Sequence, residues 1–177
     1  MPSRRQHRDD FLIQHKPVLA DQVLDALQPR PGMIAFDCTL GLGGHSRMLL
    51  ERVTPGGQLI ATDFDPRNIE IARTNLQSVA GGNFSIHHSN FAAIGKVLQS
   101  MSIERVDLIL ADLGVASPQI DDPARGFSYK KPGPLDMRMD PTRKESAAQL
   151  LARMTERDIR EALLELAMKQ IPRKSQS

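Results

Sequence analysis

Three stretches of this 177-residue chain carry residues whose types and spacing could do chemistry. Asp37 stands ahead of a glycine-rich run, Gly41-Leu42-Gly43-Gly44-His45-Ser46. Asp63 follows further on, and Asp112 opens the stretch Asp112-Leu113-Gly114-Val115-Ala116-Ser117-Pro118-Gln119. Glycines in such a run let the backbone turn tightly and approach a ligand with no Cβ in the way. A carboxylate about 20 residues beyond the run is placed to accept hydrogen bonds from both ribose hydroxyls of an adenosine. Asp63 is that carboxylate. The competing role, capping the next helix, suits Asp65 better because Pro66 marks the first helical turn.

A glycine loop alone does not separate one nucleotide cofactor from another. The dinucleotide pattern G-x-G-x-x-G needs glycine at position 46, where this chain has Ser46. Asp37, four residues ahead of Gly41, fits the acidic-then-glycine order of S-adenosylmethionine enzymes instead. Asp112 invites a catalytic reading: an exocyclic amine is a poor nucleophile because its lone pair is delocalised into the base. An oxygen accepting a hydrogen bond from that amine restores nucleophilicity. Orienting the cofactor is the other role open to Asp112. Phe91 is either a face for the adenine or an ordinary core aromatic, and His45 either meets the cofactor's methionine end or merely starts a helix. His87 and His88 point to opposite faces of a strand and lack metal-ligand geometry, so no metal site is expected. Cys38 reads as a small buried filler.

These residues need a scaffold, and apolar periodicity supplies one. A helix is expected from Pro17 to Leu27, strands at Met33–Phe36, Gln58–Thr62, Phe84–His88 and Val106–Leu110, and helices at Ser46–Val53, Pro66–Gln77 and Phe91–Met101. Alternating strands and helices imply an α/β fold with a parallel sheet and right-handed crossovers. Residues 113–145 show no period, and a loop that long is more often functional than idle. Within it, Asp136 and Arg138 are either half of a structural Asp–Arg tie or part of a substrate-pocket wall. Two further helices are expected, at Ala147–Met154 and Thr155–Met168, with Thr155 and Asp158 forming a capping box.

Composition limits the alternatives. Forty per cent hydrophobic and 25% charged residues fit a globular chain, and a net charge of +2 gives no strong bulk attraction to nucleic acid. One cysteine precludes an intramolecular disulfide, and no apolar run approaches the ~20 residues of a membrane helix. A cytoplasmic protein without membrane contact is expected. One tyrosine and no tryptophan leave no broad aromatic platform for single-stranded RNA.

Longer motifs give a sharper expectation. His15-Lys16-Pro17-Val18-Leu19, the block from Asp37 to Ser46, the block from Asp112 to Gln119, and Gly133-Pro134-Leu135-Asp136-Met137-Arg138-Met139-Asp140 within Arg125 to Arg143 resemble the RsmH (MraW) family. That family methylates a cytosine amine in 16S ribosomal RNA. The resemblance implies a class I S-adenosylmethionine-dependent methyltransferase with a Rossmann-like parallel sheet and a helical insertion. It also implies a cofactor site at Gly43, Gly44, His45, Asp63, Phe91, Asp112 and Gln119. The implied partner is 16S rRNA in the small ribosomal subunit, not DNA. The implied organisation is a basic arm at 1–14, a cofactor-binding half-domain at 15–120, and a substrate loop with the start of the insertion at 121–177.

The chain also departs from the family pattern. Pro132 stands where Asp is usual and Ala116 where Ser is usual; beyond Leu164 the usual Tyr-Gly-Glu-Glu and basic run give way to Glu165-Leu166-Ala167-Met168. The later Ser-Phe-His-Ser-Leu-Glu-Asp segment is absent from the sequence. The expectation is a C-terminally truncated copy whose fourth strand forms an exposed sheet edge, favouring self-association. Two functional readings follow: an rRNA cytosine-N(4) methyltransferase, or a catalytically inactive remnant that at most binds the cofactor.

Overall fold

A computed structural model of the chain describes residues 17–142 and 145–168, and for Ala167 and Met168 the backbone alone. The arm expected at 1–14 and the motif residues His15 and Lys16 lie outside the described residues.

Four strands, β1 (Ile34–Asp37), β2 (Gln58–Asp63), β3 (Phe84–His88) and β4 (Leu108–Leu110), form one parallel sheet in the order β3-β2-β1-β4. The chain steps outward from β1 to β3 and then returns to the far side of β1. Right-handed crossovers therefore put the first two connecting helices on one face and the third on the other. Helices α2 (Gly44–Val53) and α3 (Pro66–Gln77) cover the first face, and α4 (Ile94–Ser100) covers the second; α1 (Ala20–Leu27) precedes β1.

Side-chain alternation along the strands matches this arrangement. Ala35, Leu59 and Ala61 join Leu49, Leu50 and Val53 of α2 and Ile69, Ala72 and Leu76 of α3 in one buried cluster. Phe36 and Ile60 join Val97 of α4 in the other. The two central strands, β1 and β2, are buried on both faces and read as near-continuous apolar runs. Asp65 caps α3 by accepting from the Arg67 amide, as its position before Pro66 suggests. Ile109 of β4 is exposed, and β4 pairs with β1 alone among the described residues.

Several boundaries differ from the sequence expectation, each for a local reason. Helix α1 starts at Ala20 because Leu19, at φ 53°, turns left-handed; Val18 and Leu19 are exposed. The helix expected from Phe91 opens as a 3-10 turn, Phe91–Ala93, capped by the Asn90 side chain. Strand β4 starts at Leu108, since Asp107 spends its carboxylate on the Ile34 amide at 2.8 Å.

The chain divides into two compact units, Met1–Ala116 and Ser117–Ser177. The second holds α5 (Ser117–Asp121), a 3-10 turn at Pro123–Arg125, α6 (Ala147–Arg153) and α7 (Glu156–Met168). The aperiodic stretch is therefore partly regular at its start. Thr155 and Asp158 exchange hydrogen bonds as the capping box requires. A second box, Ser146 with Gln149, went unread in the sequence.

Candidate functional site

In an open parallel sheet, ligands sit beyond the carboxyl ends of the strands where the strand order reverses. Here that place lies between β1 and β4. Cys38 donates its amide to Leu110 O at 2.8 Å, and Leu40 donates to Thr62 O at 3.0 Å. The loop after β1 is thereby stitched to both neighbouring strands.

Asp37, wholly buried at the end of β1, organises this loop. One carboxylate oxygen accepts from the Ser46 hydroxyl at 2.7 Å, the other from the Thr39 amide at 2.9 Å and the Thr39 hydroxyl at 3.4 Å. Burial pushes the Asp37 carboxyl above the usual carboxylate range, against the lowering effect of those donors and of nearby His45. The Thr39 hydroxyl oxygen accepts the Asp112 amide at 2.7 Å, linking the end of β1 to the end of β4. Ser46 thus stands where a dinucleotide loop keeps glycine because its hydroxyl holds Asp37.

Asp63 closes the other side. Its Oδ2 accepts the Gly41 amide at 2.8 Å and its Oδ1 the Asp65 amide at 2.7 Å, with Asn68 Nδ2 at 3.4 Å from Oδ1. Burial again raises the carboxyl, partly offset by the Asp65 and Gly41 amides and by Asn68. Gly41 sits at φ 51°, and a Cβ there would meet only Thr39 O, at 3.8 Å. Gly43, at φ 86°, serves packing instead. A Cβ there would come 3.1 Å from the Ala72 side chain, so the glycine lets α2 pack against α3. A Cβ on Gly44 would lie 3.2 Å from Pro17.

His45 opens α2, with a side chain only 10% exposed. Its Nε2 lies 3.7 Å from Asp112 Oδ2, and its Nδ1 is buried with no hydrogen-bond partner among the described residues. An orphaned buried nitrogen costs free energy unless a ligand satisfies it. The Asp112 side chain is 60% exposed, open to a substrate. Phe91 is half-exposed just after β3. Gly43, Gly44, His45, Asp63, Phe91 and Asp112 all belong to the first unit. Gln119 belongs to the second, where it is buried and donates to Met139 Sδ at 3.4 Å.

Asp136 and Arg138 face each other: Oδ1 accepts from Arg138 Nε at 2.8 Å and Oδ2 from Arg138 Nη2 at 2.6 Å. The guanidinium holds the Asp136 carboxyl down at about 2. Thr39 and Asn75, whose Nδ2 donates to Leu42 O at 2.8 Å, were not singled out in the sequence. The Asp-x-Thr spacing of Asp37 and Thr39, suited to a side chain bonding its own backbone two residues on, was the available signal.

A family model described as the MraW methylase family matches residues 12–176. The chain belongs to that family. Among its relatives, ribosomal RNA small subunit methyltransferase H of Burkholderia vietnamiensis (strain G4 / LMG 22486) is 52% identical over 151 residues, 85% of this chain and 47% of that protein. The protein of the same description from Burkholderia mallei (strain SAVP1) is 51% identical over the same shares. This member of the family therefore spans about half the length of the curated relatives it matches. Of solved structures, a protein-L-isoaspartate O-methyltransferase is similar over 56% of this chain and 30% of its own, at 17% identity and a TM-score of 0.45.

Proposed function

We propose that the first unit binds S-adenosylmethionine and that the protein serves methyl transfer to the N(4) amine of a cytidine in 16S ribosomal RNA, acting on the small ribosomal subunit in the cytoplasm. The observation that carries the cofactor reading is the buried, unpartnered Nδ1 of His45 at the reversal point of the sheet. Asp63, tied to the Gly41 amide, supports it from the opposite side. Family membership and the relatives' descriptions support the reaction and the RNA.

The residues present fit the cofactor. Asp63 would take the ribose hydroxyls, Phe91 the adenine, and His45 with the loop at Gly43 and Gly44 the methionine end, all of them residues of the first unit. When bound, S-adenosylmethionine supplies a methyl group activated on a sulfonium. Asp112 accepts a hydrogen bond from the cytosine amine, which localises the nitrogen lone pair for attack. Thr39 holds the Asp112 backbone in register with β1, which fixes the point from which the carboxylate extends. Asp136 and Arg138 form a preset corner of the substrate loop.

The exposed β4 edge, with Ile109 53% accessible, and the exposed Leu113 just beyond it support self-association of this chain.

Calorimetric titration with S-adenosylhomocysteine tests the cofactor reading. Micromolar binding, lost in Asp63→Ala, is expected; a folded chain that binds nothing overturns it. Transfer from labelled cofactor to unmodified small subunits, abolished in Asp112→Ala, is the expected second result. Binding without transfer overturns the transfer reading for this chain and leaves the cofactor reading standing.

A further inference from the structure

The single tyrosine of this chain, Tyr129, is 96% exposed, an extreme value for an aromatic ring. It stands in a turn with Lys130 and Lys131 beside it, at the far end of an excursion whose base is tightly drawn together. The Met137 amide donates to Arg125 O at 2.9 Å, closing the two ends. Buried Arg125 reaches across with Nη2, donating to Arg138 O and Met139 O at 2.9 Å each, and its guanidinium lies 5.7 Å from the centre of the Phe127 ring.

Two glycines make the closure possible. A Cβ on Gly126, already at φ 70°, would collide with Pro134 O and come 2.7 Å from the Asp136 amide nitrogen. A Cβ on Gly133 would collide with Pro123 O. Backbone meets backbone at both points, so residues 127–132 project as a pinched loop. Within it the Ser128 hydroxyl accepts the Lys130 amide at 3.2 Å, and Lys131 Nζ anchors on Asp121 O at 3.0 Å.

A rigidly based tip that holds an aromatic ring and a lysine in water gains nothing for folding. It does lower the entropic cost of binding, because the contact group is ordered in advance. Stacking a nucleobase on an aromatic face while an ammonium meets the adjoining phosphate is the recurrent chemistry of single-stranded nucleic-acid contacts. An acidic protein surface would use the lysines but leave the ring idle.

We infer that the Tyr129-Lys130-Lys131 tip is a contact site for single-stranded RNA, with Tyr129 stacking on a base and Lys130 on the neighbouring phosphate. The inference rests on the RNA reading above and adds to it the place of contact. No tryptophan is present, so tyrosine emission reports position 129 alone.

The test is titration of the full chain with an end-labelled short oligocytidine, reading probe anisotropy and tyrosine emission together, the emission corrected for absorption by the probe. Quenching on binding is expected, with affinity falling roughly five-fold or more in Tyr129→Ala and recovering in Tyr129→Trp. Lys130→Gln should lower the slope of log affinity against log salt by roughly 0.7. Unchanged affinity in Tyr129→Ala, or equal quenching by inorganic polyphosphate, overturns the inference. Calorimetry with S-adenosylhomocysteine on the same samples separates the two proposals: a Tyr129→Ala chain that binds both ligands like the parent sinks only the tip. A parent chain that stacks RNA on Tyr129 but ignores the cofactor sinks only the cofactor reading.

Discussion

In the first unit, Asp37 is buried with no cationic hydrogen-bond donor among the described residues and keeps its place through the Ser46 hydroxyl and the Thr39 amide and hydroxyl. In the second, Asp136 is paired with the guanidinium of Arg138. Around Asp37 lie two apolar clusters that contain Leu49, Leu50, Leu59 and Phe36. Among the described residues of the second unit the buried ones are Gln119, Arg125 and Asp140, and Leu150, Leu151, Leu163, Leu164 and Leu166 are exposed. Polar loops rest on an apolar core in one case, whereas in the other a polar loop is held by cation-to-carbonyl bonds and backbone contacts. Apolar burial scales with area and tolerates much local change, while each polar tie depends on one geometry.

Core truncation breaks this comparison most sharply. Leu50→Ala, at a fully buried site, should cost roughly 2–5 kcal/mol in urea unfolding. Leu163→Ala, 65% exposed, should stay within roughly 0.5 kcal/mol. A comparable loss at Leu163 would show that α7 is covered by another copy of the chain.

The next largest effect belongs to Arg125. Arg125→Met removes the charged donor from two carbonyls and should cost roughly 1.5–3 kcal/mol locally. Faster amide exchange across 126–139, with β1 and β2 unchanged, is the expected signature. Uniform acceleration would mean that the loop and the sheet unfold together.

The same contrast explains what the sequence disclosed. Helix α3 and strand β3 were legible to the residue because their apolar spacing and Pro66 encode them locally, as they do the core around Leu59 and Ile60. The ligand candidates Asp63 and His45 were legible through loop spacing and family motifs. The Thr39 link to Asp112 was not, since it joins residues 73 apart. Nor was the pinch at Gly126 and Gly133, which depends on which backbone segments meet and leaves no period behind.

Acidity sharpens the comparison through opposite signs. Burial raises Asp37 above its ordinary 3.8, so the folded state holds that proton more tightly than the unfolded chain. Its ionised form costs stability at neutral pH, and acidification recovers that cost between the raised value and 3.8. Below 3.8 both states are protonated and the contribution is flat. Asp37→Asn should flatten this segment of a plot of unfolding midpoint against pH. The slope left by Asp63, raised for the same reason, should remain.

Asp136 supplies the smallest effect and the reverse one. Arg138 lowers its carboxyl from 3.8 to about 2, so the pair's contribution is complete above 3.8 and disappears as pH falls towards about 2. Both side chains keep solvent access, 22% for Asp136 and 27% for Arg138, and the contribution should stay under about 1 kcal/mol. Amide exchange at 136–139 should quicken only below pH 3.8, where Asp37 no longer changes anything. Arg138→Gln should shrink that acid-dependent step, because it removes the side-chain hydrogen bond that lowers the carboxyl most. Quickening that begins well above pH 3.8 would assign the loop's acid sensitivity to another carboxylate and remove Asp136 from the comparison.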